Sequence, residues 1–71
     1  MKKEELSRKI GNRIIQLREK KGWSQSDLAR AVLKDRQTIH KIEIGDSNPT
    51  VHTLYEIAKA LDVPLIEMFR F

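Results

Sequence analysis

Residues 24–44 read Ser24-Gln25-Ser26-Asp27-Leu28-Ala29-Arg30-Ala31-Val32-Leu33-Lys34-Asp35-Arg36-Gln37-Thr38-Ile39-His40-Lys41-Ile42-Glu43-Ile44. Ser24 is an N-cap residue, and Asp27 stands three positions on, where its carboxylate reaches back to the cap as in a capping box. Trp23, just before the cap, and Leu28, four positions inside, have the spacing of a hydrophobic staple. That spacing accounts for Trp23 without a role as a base-stacking platform. A helix therefore runs from Gln25 to about Val32, with Leu28, Ala29 and Val32 inward. Leu33-Lys34-Asp35 makes a turn of about three residues. Asp35 caps a second helix, Arg36 to Ile44. At about 100° per residue, Arg36, Gln37, His40 and Lys41 fall within one arc of about 140°. Ile39 and Ile42 fall on the opposite side. One face buries, and the other presents cations, an imidazole and an amide.

Outward from this pair, the apolar residues keep helical spacing and nothing reads as a strand. The preceding helix begins near residue 4 or residue 8, with Ser7 as a possible cap, and runs to Lys21. It carries Leu6, Ile10, Ile14 and Leu17 on one face, and Gly22 is its left-handed stop. Gly11 inside it is worth about 1 kcal/mol less than alanine, which close packing or a later helix start would explain. Gly45-Asp46-Ser47-Asn48-Pro49 is a loop by its turn residues. Thr50 caps a fourth helix, Val51 to Leu61, with Leu54, Ile57, Ala58 and Leu61 as its stripe. Asp62-Val63 breaks the chain, and Pro64 opens a short fifth helix. The fold class expected is all-α: a compact five-helix bundle forming one domain over residues 1–71.

Composition sets further bounds. The 71 residues carry 14 Lys+Arg against 10 Asp+Glu, a formal charge of +4, with a pI near 9.7. The charge is polarised. Residues 1–36 hold eleven bases and five acids, a net +6, and residues 37–71 hold three bases and five acids, a net −2. A basic first half suits a polyanionic partner. Cysteine is absent, which removes disulfides, thiolate metal sites and thiol nucleophiles and fits a reducing cytoplasm. No apolar run approaches the roughly 20 residues of a membrane span, and Met1-Lys2-Lys3-Glu4-Glu5 does not read as a secretory signal. Two histidines, His40 and His52, with no Gly-rich phosphate loop and no ligands at useful spacing, leave neither a catalytic set nor a metal site. No enzyme, no cofactor, no metal and no small-molecule ligand is expected.

Two short helices joined by about three residues, the second with a polar outer face, make a helix-turn-helix. The DNA major groove, about 12 Å wide, admits one such helix, and the first helix of the pair braces it against the backbone. Ile10-Gly11-Asn12-Arg13-Ile14, Leu17 to Gln25, Leu28-Ala29, Thr38 to Glu43, Asn48-Pro49-Thr50 and Ile57 to Leu61 resemble the phage-repressor (Xre-type, Cro-like) helix-turn-helix family. The resemblance covers about residues 10–69. It implies a lambda-repressor-like DNA-binding domain of five helices on operator DNA, usually as a dimer.

Position by position, the resemblance places Arg36, Gln37 and Lys41 at base edges, with His40 beside them. It places Gln25, Gly45, Ser47 and Asn48 near phosphates, and Lys34 is expected at a phosphate beside them. Arg18 and Glu43 match an internal ion pair between the first and third helices. Side-chain chemistry agrees, since arginine donates twice to guanine and glutamine pairs twice with adenine. The family usually has glycine followed by a small apolar residue in the turn, where Leu33 and Lys34 stand here. A positive φ would strain leucine, so a rebuilt turn or a longer second helix is expected.

The closing Leu65-Ile66-Glu67-Met68-Phe69-Arg70-Phe71 has more apolar side chains than one short amphipathic face uses. Leu65, Ile66, Met68 and Phe69, with Tyr55 nearby, are expected at a homodimer interface. The expected function is sequence-specific binding of double-stranded DNA as a small repressor-like cytoplasmic regulator, on a palindromic operator. The alternative is a protein-interaction module, such as an antitoxin component, whose partner is another protein. The cationic and amide arc of the helix at 36–44 favours DNA.

Overall fold

The computed structural model describes residues 1–71 as four α-helices and a closing 3-10 helix: α1 (Lys3–Lys20), α2 (Gln25–Ala31), α3 (Arg36–Glu43), α4 (Val51–Ala60) and the 3-10 segment Leu65–Phe69. No strand is present. The fifth element is thus a 3-10 helix, short enough for i→i+3 bonding. Helix α1 starts at Lys3, with Lys2 at its N-cap and no side-chain cap. Ser7 lies inside the helix rather than capping it.

The other starts are local chemistry. Ser24 Oγ accepts from the Asp27 N–H at 3.1 Å, and the Asp27 carboxylate accepts from the Ser24 N–H at 2.8 Å. Asp35 accepts from the Thr38 N–H at 2.7 Å, and Thr50 Oγ1 from the Thr53 N–H at 3.1 Å. These donated bonds hold the Asp27 and Asp35 carboxyls below the ordinary carboxylate range.

All four α-helices stop in the same way. After α2, the Lys34 N–H reaches the Ala29 carbonyl and the Leu33 N–H the Arg30 carbonyl, the paired bonds of a Schellman motif. Gly22 and Gly45 take the left-handed position after α1 and α3, Asp62 takes it after α4, and Leu33 takes it after α2. The expected rebuilt turn or longer second helix is therefore not what occurs. Leucine keeps the glycine geometry at φ 57°, 93% exposed and without packing to offset the strain. Leu33→Gly should stabilise the fold by about 0.5–1 kcal/mol, the relief of left-handed strain less the added chain entropy of glycine. Thermal unfolding checks this as a rise of a few degrees.

The core gathers Ile10, Ile14 and Leu17 of α1, Leu28 and Ala29 of α2, Val32, Ile39 and Ile42 of α3, Leu54, Ile57 and Ala58 of α4, Leu61, and Met68. Trp23 packs against its edge. Leu6, expected on the inward stripe of the first helix, is 38% exposed, at a cleft it lines with Ile10, Ile42, Pro49 and Leu54. Met68, expected at a dimer interface, is fully buried within the protomer, and Leu65 packs on the core beside it. Arg13 of α1 holds this segment down. Its Nε donates to the Glu67 carbonyl at 2.7 Å and its Nη2 to Glu67 Oε1 at 2.6 Å. Arg70 donates to the same carboxylate at 2.9 Å. Arg70 and then Arg13 hold Glu67 below its usual range.

Candidate nucleic-acid interface

Ile39 and Ile42 face the core and Glu43 is buried with them, so the rest of α3 is turned outward. Arg36, Gln37 and Lys41 are exposed, and His40 is half-buried. The arc anticipated from helical angles is thus presented as one surface. Gln37 and Lys41 have no protein partner.

The orientation of α3 is set from behind by an ion pair. Arg18 Nε donates to Glu43 Oε2 at 2.7 Å and Nη2 to Oε1 at 3.0 Å, a two-pronged contact. Arg18 Nη1 donates to the Trp23 carbonyl at 2.8 Å. Only 1% of the Glu43 side chain and 12% of that of Arg18 is exposed. The hydrogen bond to Glu43 pushes the Arg18 guanidinium above its ordinary pKa. One arginine therefore joins α1, the start of α2 and the end of α3.

Gln25, half-buried, extends the same network. Its Nε2 donates to Glu43 Oε1 at 2.9 Å and lies 3.3 Å from His40 Nδ1. Its Oε1 accepts from Arg36 Nη1 at 3.1 Å. The resemblance places Gln25 near phosphate; this clasp between α2 and α3 is an additional role that the sequence does not announce.

Three of the residues expected near phosphate, Gln25, Gly45 and Ser47, are half-buried. The Gln25 amide bonds Glu43 and Arg36. The Gly45 N–H ends α3 on the Ile42 carbonyl at 3.1 Å. A Cβ on Gly45 would lie 2.7 Å from Arg8 Cγ, because this loop packs on α1. The Ser47 hydroxyl is buried without a partner. Asn48 is exposed and Lys34 half-exposed, and both line one shallow cleft with Lys41, Thr38 and Thr53. The cationic surface next to the α3 arc thus comprises Lys34, Lys41 and Arg36, with Asn48 at its edge.

On the far side, Ile66, Phe69, Phe71 and Tyr55 are exposed apolar or aromatic side chains. No helix is long and apolar enough to cross a membrane.

Comparison with known proteins gives concordant findings. Residues 14–68 match the family model HTH_3, described as helix-turn-helix. The HTH-type transcriptional regulator SutR of Escherichia coli is 43% identical over 61 residues, which is 86% of this chain but 34% of SutR. The uncharacterised HTH-type transcriptional regulator y4dJ of Sinorhizobium fredii is 37% identical over 59 residues, 83% of this chain and 77% of that protein. Among solved structures, the restriction-modification controller protein C.AhdI of Aeromonas hydrophila superposes with a TM-score of 0.92 at 32% identity, covering 97% of this chain and 100% of that one.

Proposed function

Because the chain belongs to the HTH_3 helix-turn-helix family, a family of DNA-binding transcriptional regulators and not of enzymes, we propose that it reads a specific duplex sequence with α3 in the major groove. The chain spans about a third of SutR, so the reading concerns this domain. The observation that carries it is the exposed arc of Arg36, Gln37 and Lys41, held outward by the buried Arg18–Glu43 pair. Arg36 supplies two parallel donors for guanine O6 and N7, and Gln37 supplies a donor and acceptor for adenine N6 and N7. Lys41 donates along the same face. Lys34 and Asn48 flank the arc and suit phosphate. The cytoplasm, where duplex DNA lies, is its place of action. The comparisons lend no support to the alternative of an interaction module such as an antitoxin component.

A two-fold dimer is part of the same proposal. Met68 belongs to the protomer core, so the interface narrows to Ile66 and Phe69, joined by Tyr55 and Phe71. A two-fold protein calls for a two-fold operator with half-sites about one helical turn apart. Selection of bound sites from random duplex should return such a palindrome. Binding should also weaken steeply with salt, as phosphate contacts release counterions. An asymmetric half-length site would remove the dimer from this account, and recovery of no preferred sequence would remove the base reading.

A further inference from the structure

We propose that His40 is a base-reading hydrogen-bond donor whose tautomer is set by Gln25, so that Nε2–H faces a base acceptor; this rests on the DNA-binding function proposed above. The Gln25 amide lies between two charged groups of opposite hydrogen-bonding character. The Glu43 carboxylate only accepts, so the Gln25 atom 2.9 Å from its Oε1 is the NH2 group. The Arg36 guanidinium only donates, so the Gln25 atom 3.1 Å from its Nη1 is the carbonyl oxygen. The orientation of the amide is thereby fixed from both ends.

The second hydrogen of that NH2 points to His40 Nδ1, 3.3 Å away. Nδ1 must then offer a lone pair, and the ring proton sits on Nε2. Nε2 has no protein partner and is not buried. On the helical wheel His40 falls between Arg36 and Gln37, within the proposed base-reading arc. A donor there complements guanine O6 or N7, adenine N7 or thymine O4. The same donor is opposed by the amino groups of cytosine and adenine. Gln25 is accordingly a positioning residue. It never needs to touch DNA to influence which base is accepted one turn into α3.

Long-range proton–nitrogen NMR of the free chain near neutral pH reads the ring directly. His52, exposed on α4 with its Nε2 3.8 Å from Glu56 Oε2 and no hydrogen bond to the ring, serves as the reference. His40 should show a protonated Nε2 and a bare Nδ1 without the averaging seen for His52, and Gln25→Ala should restore averaging. A proton on Nδ1 overturns the proposal whatever the chain binds. The second arm uses the duplex selected from the random pool. In it, each purine N7 is replaced by C–H and each guanine O6 and thymine O4 is removed, one position at a time. One such change should weaken wild-type binding roughly three- to tenfold, the range of a single hydrogen bond, and leave His40→Ala unaffected. If only methylphosphonate substitution shows that pattern, His40 donates to phosphate and the base-reading claim fails. If wild-type chain binds no duplex while the Nε2–H form is fixed, the proposed function has failed and the tautomer assignment stands.

Discussion

Glu43→Ala should destabilise the domain by about 3–5 kcal/mol, because it leaves the Arg18 guanidinium buried without its counter-charge. A core in a chain of this length supplies roughly 3–5 kcal/mol in all, so the variant should be largely unfolded at room temperature. The same deletion strands the NH2 of Gln25, which donates to Glu43 Oε1. The pair itself adds little net stability, since taking two charges from water offsets most of their attraction. Replacing both partners, Arg18→Met with Glu43→Leu, should therefore recover part of what Glu43→Ala loses, the Gln25 NH2 and the Trp23 carbonyl being left without their partners. Urea unfolding followed by circular dichroism measures both. A loss under about 1 kcal/mol for Glu43→Ala would mean that the ion pair does not hold α3 in place.

Gly11→Ala is the second large effect, and its sign opposes helix propensity. Alanine inside an exposed helix would gain about 1 kcal/mol over glycine. At residue 11 the added Cβ would sit 2.6 Å from the Ile42 carbonyl oxygen, closer still to that of Glu43, and 2.8 Å from the Glu43 carbonyl carbon. These atoms are backbone, and α3 cannot yield there without loosening the Arg18 contact and the end of the helix. Overpacking of this kind should outweigh the propensity gain and leave a net loss of about 2 kcal/mol or more. Gly22 is the control. It has φ 78° with open space around it, so Gly22→Ala strains only the backbone, by about 1 kcal/mol. Denaturant midpoints for the two variants separate close approach from conformation. A neutral or stabilising Gly11→Ala would show that α1 and α3 are not in backbone contact.

What could be read from the sequence follows the range of each interaction. The caps at Ser24, Asp35 and Thr50 depend on residues three positions away, so they stood in the sequence. The wheel that put Arg36, Gln37 and Lys41 on one face needed only the helical period. The Arg18–Glu43 contact spans 25 positions and came through the family resemblance alone. Arg13 and Glu67, 54 positions apart, left no local signal, and neither did the placing of Met68 in the core. A 3-10 segment of five residues has no stripe that tells inside from outside. The resemblance places Gln25 near phosphate, and its bonds to Glu43 and Arg36, 18 and 11 positions away, leave no local signal. For Gly45 and Ser47 the resemblance alone suggests phosphate; no local signal shows that the Gly45 N–H ends α3 or that the Ser47 hydroxyl is buried. Leu33 shows tertiary context overriding residue preference, since the Schellman bonds and the start of α3 hold a backbone that leucine disfavours.

The central claim is that the outer face of α3 reads base edges. Its most direct measurement is site selection from random duplex by wild type, Arg36→Ala and Gln37→Ala, with Lys34→Ala as the phosphate control. Wild type should yield a defined site. Arg36→Ala and Gln37→Ala should each lose about 1–3 kcal/mol of discrimination at one position of each half-site, while Lys34→Ala weakens every sequence alike. If Arg36→Ala and Gln37→Ala kept the preferred sequence and its full margin over competitors, α3 would not be the reading element.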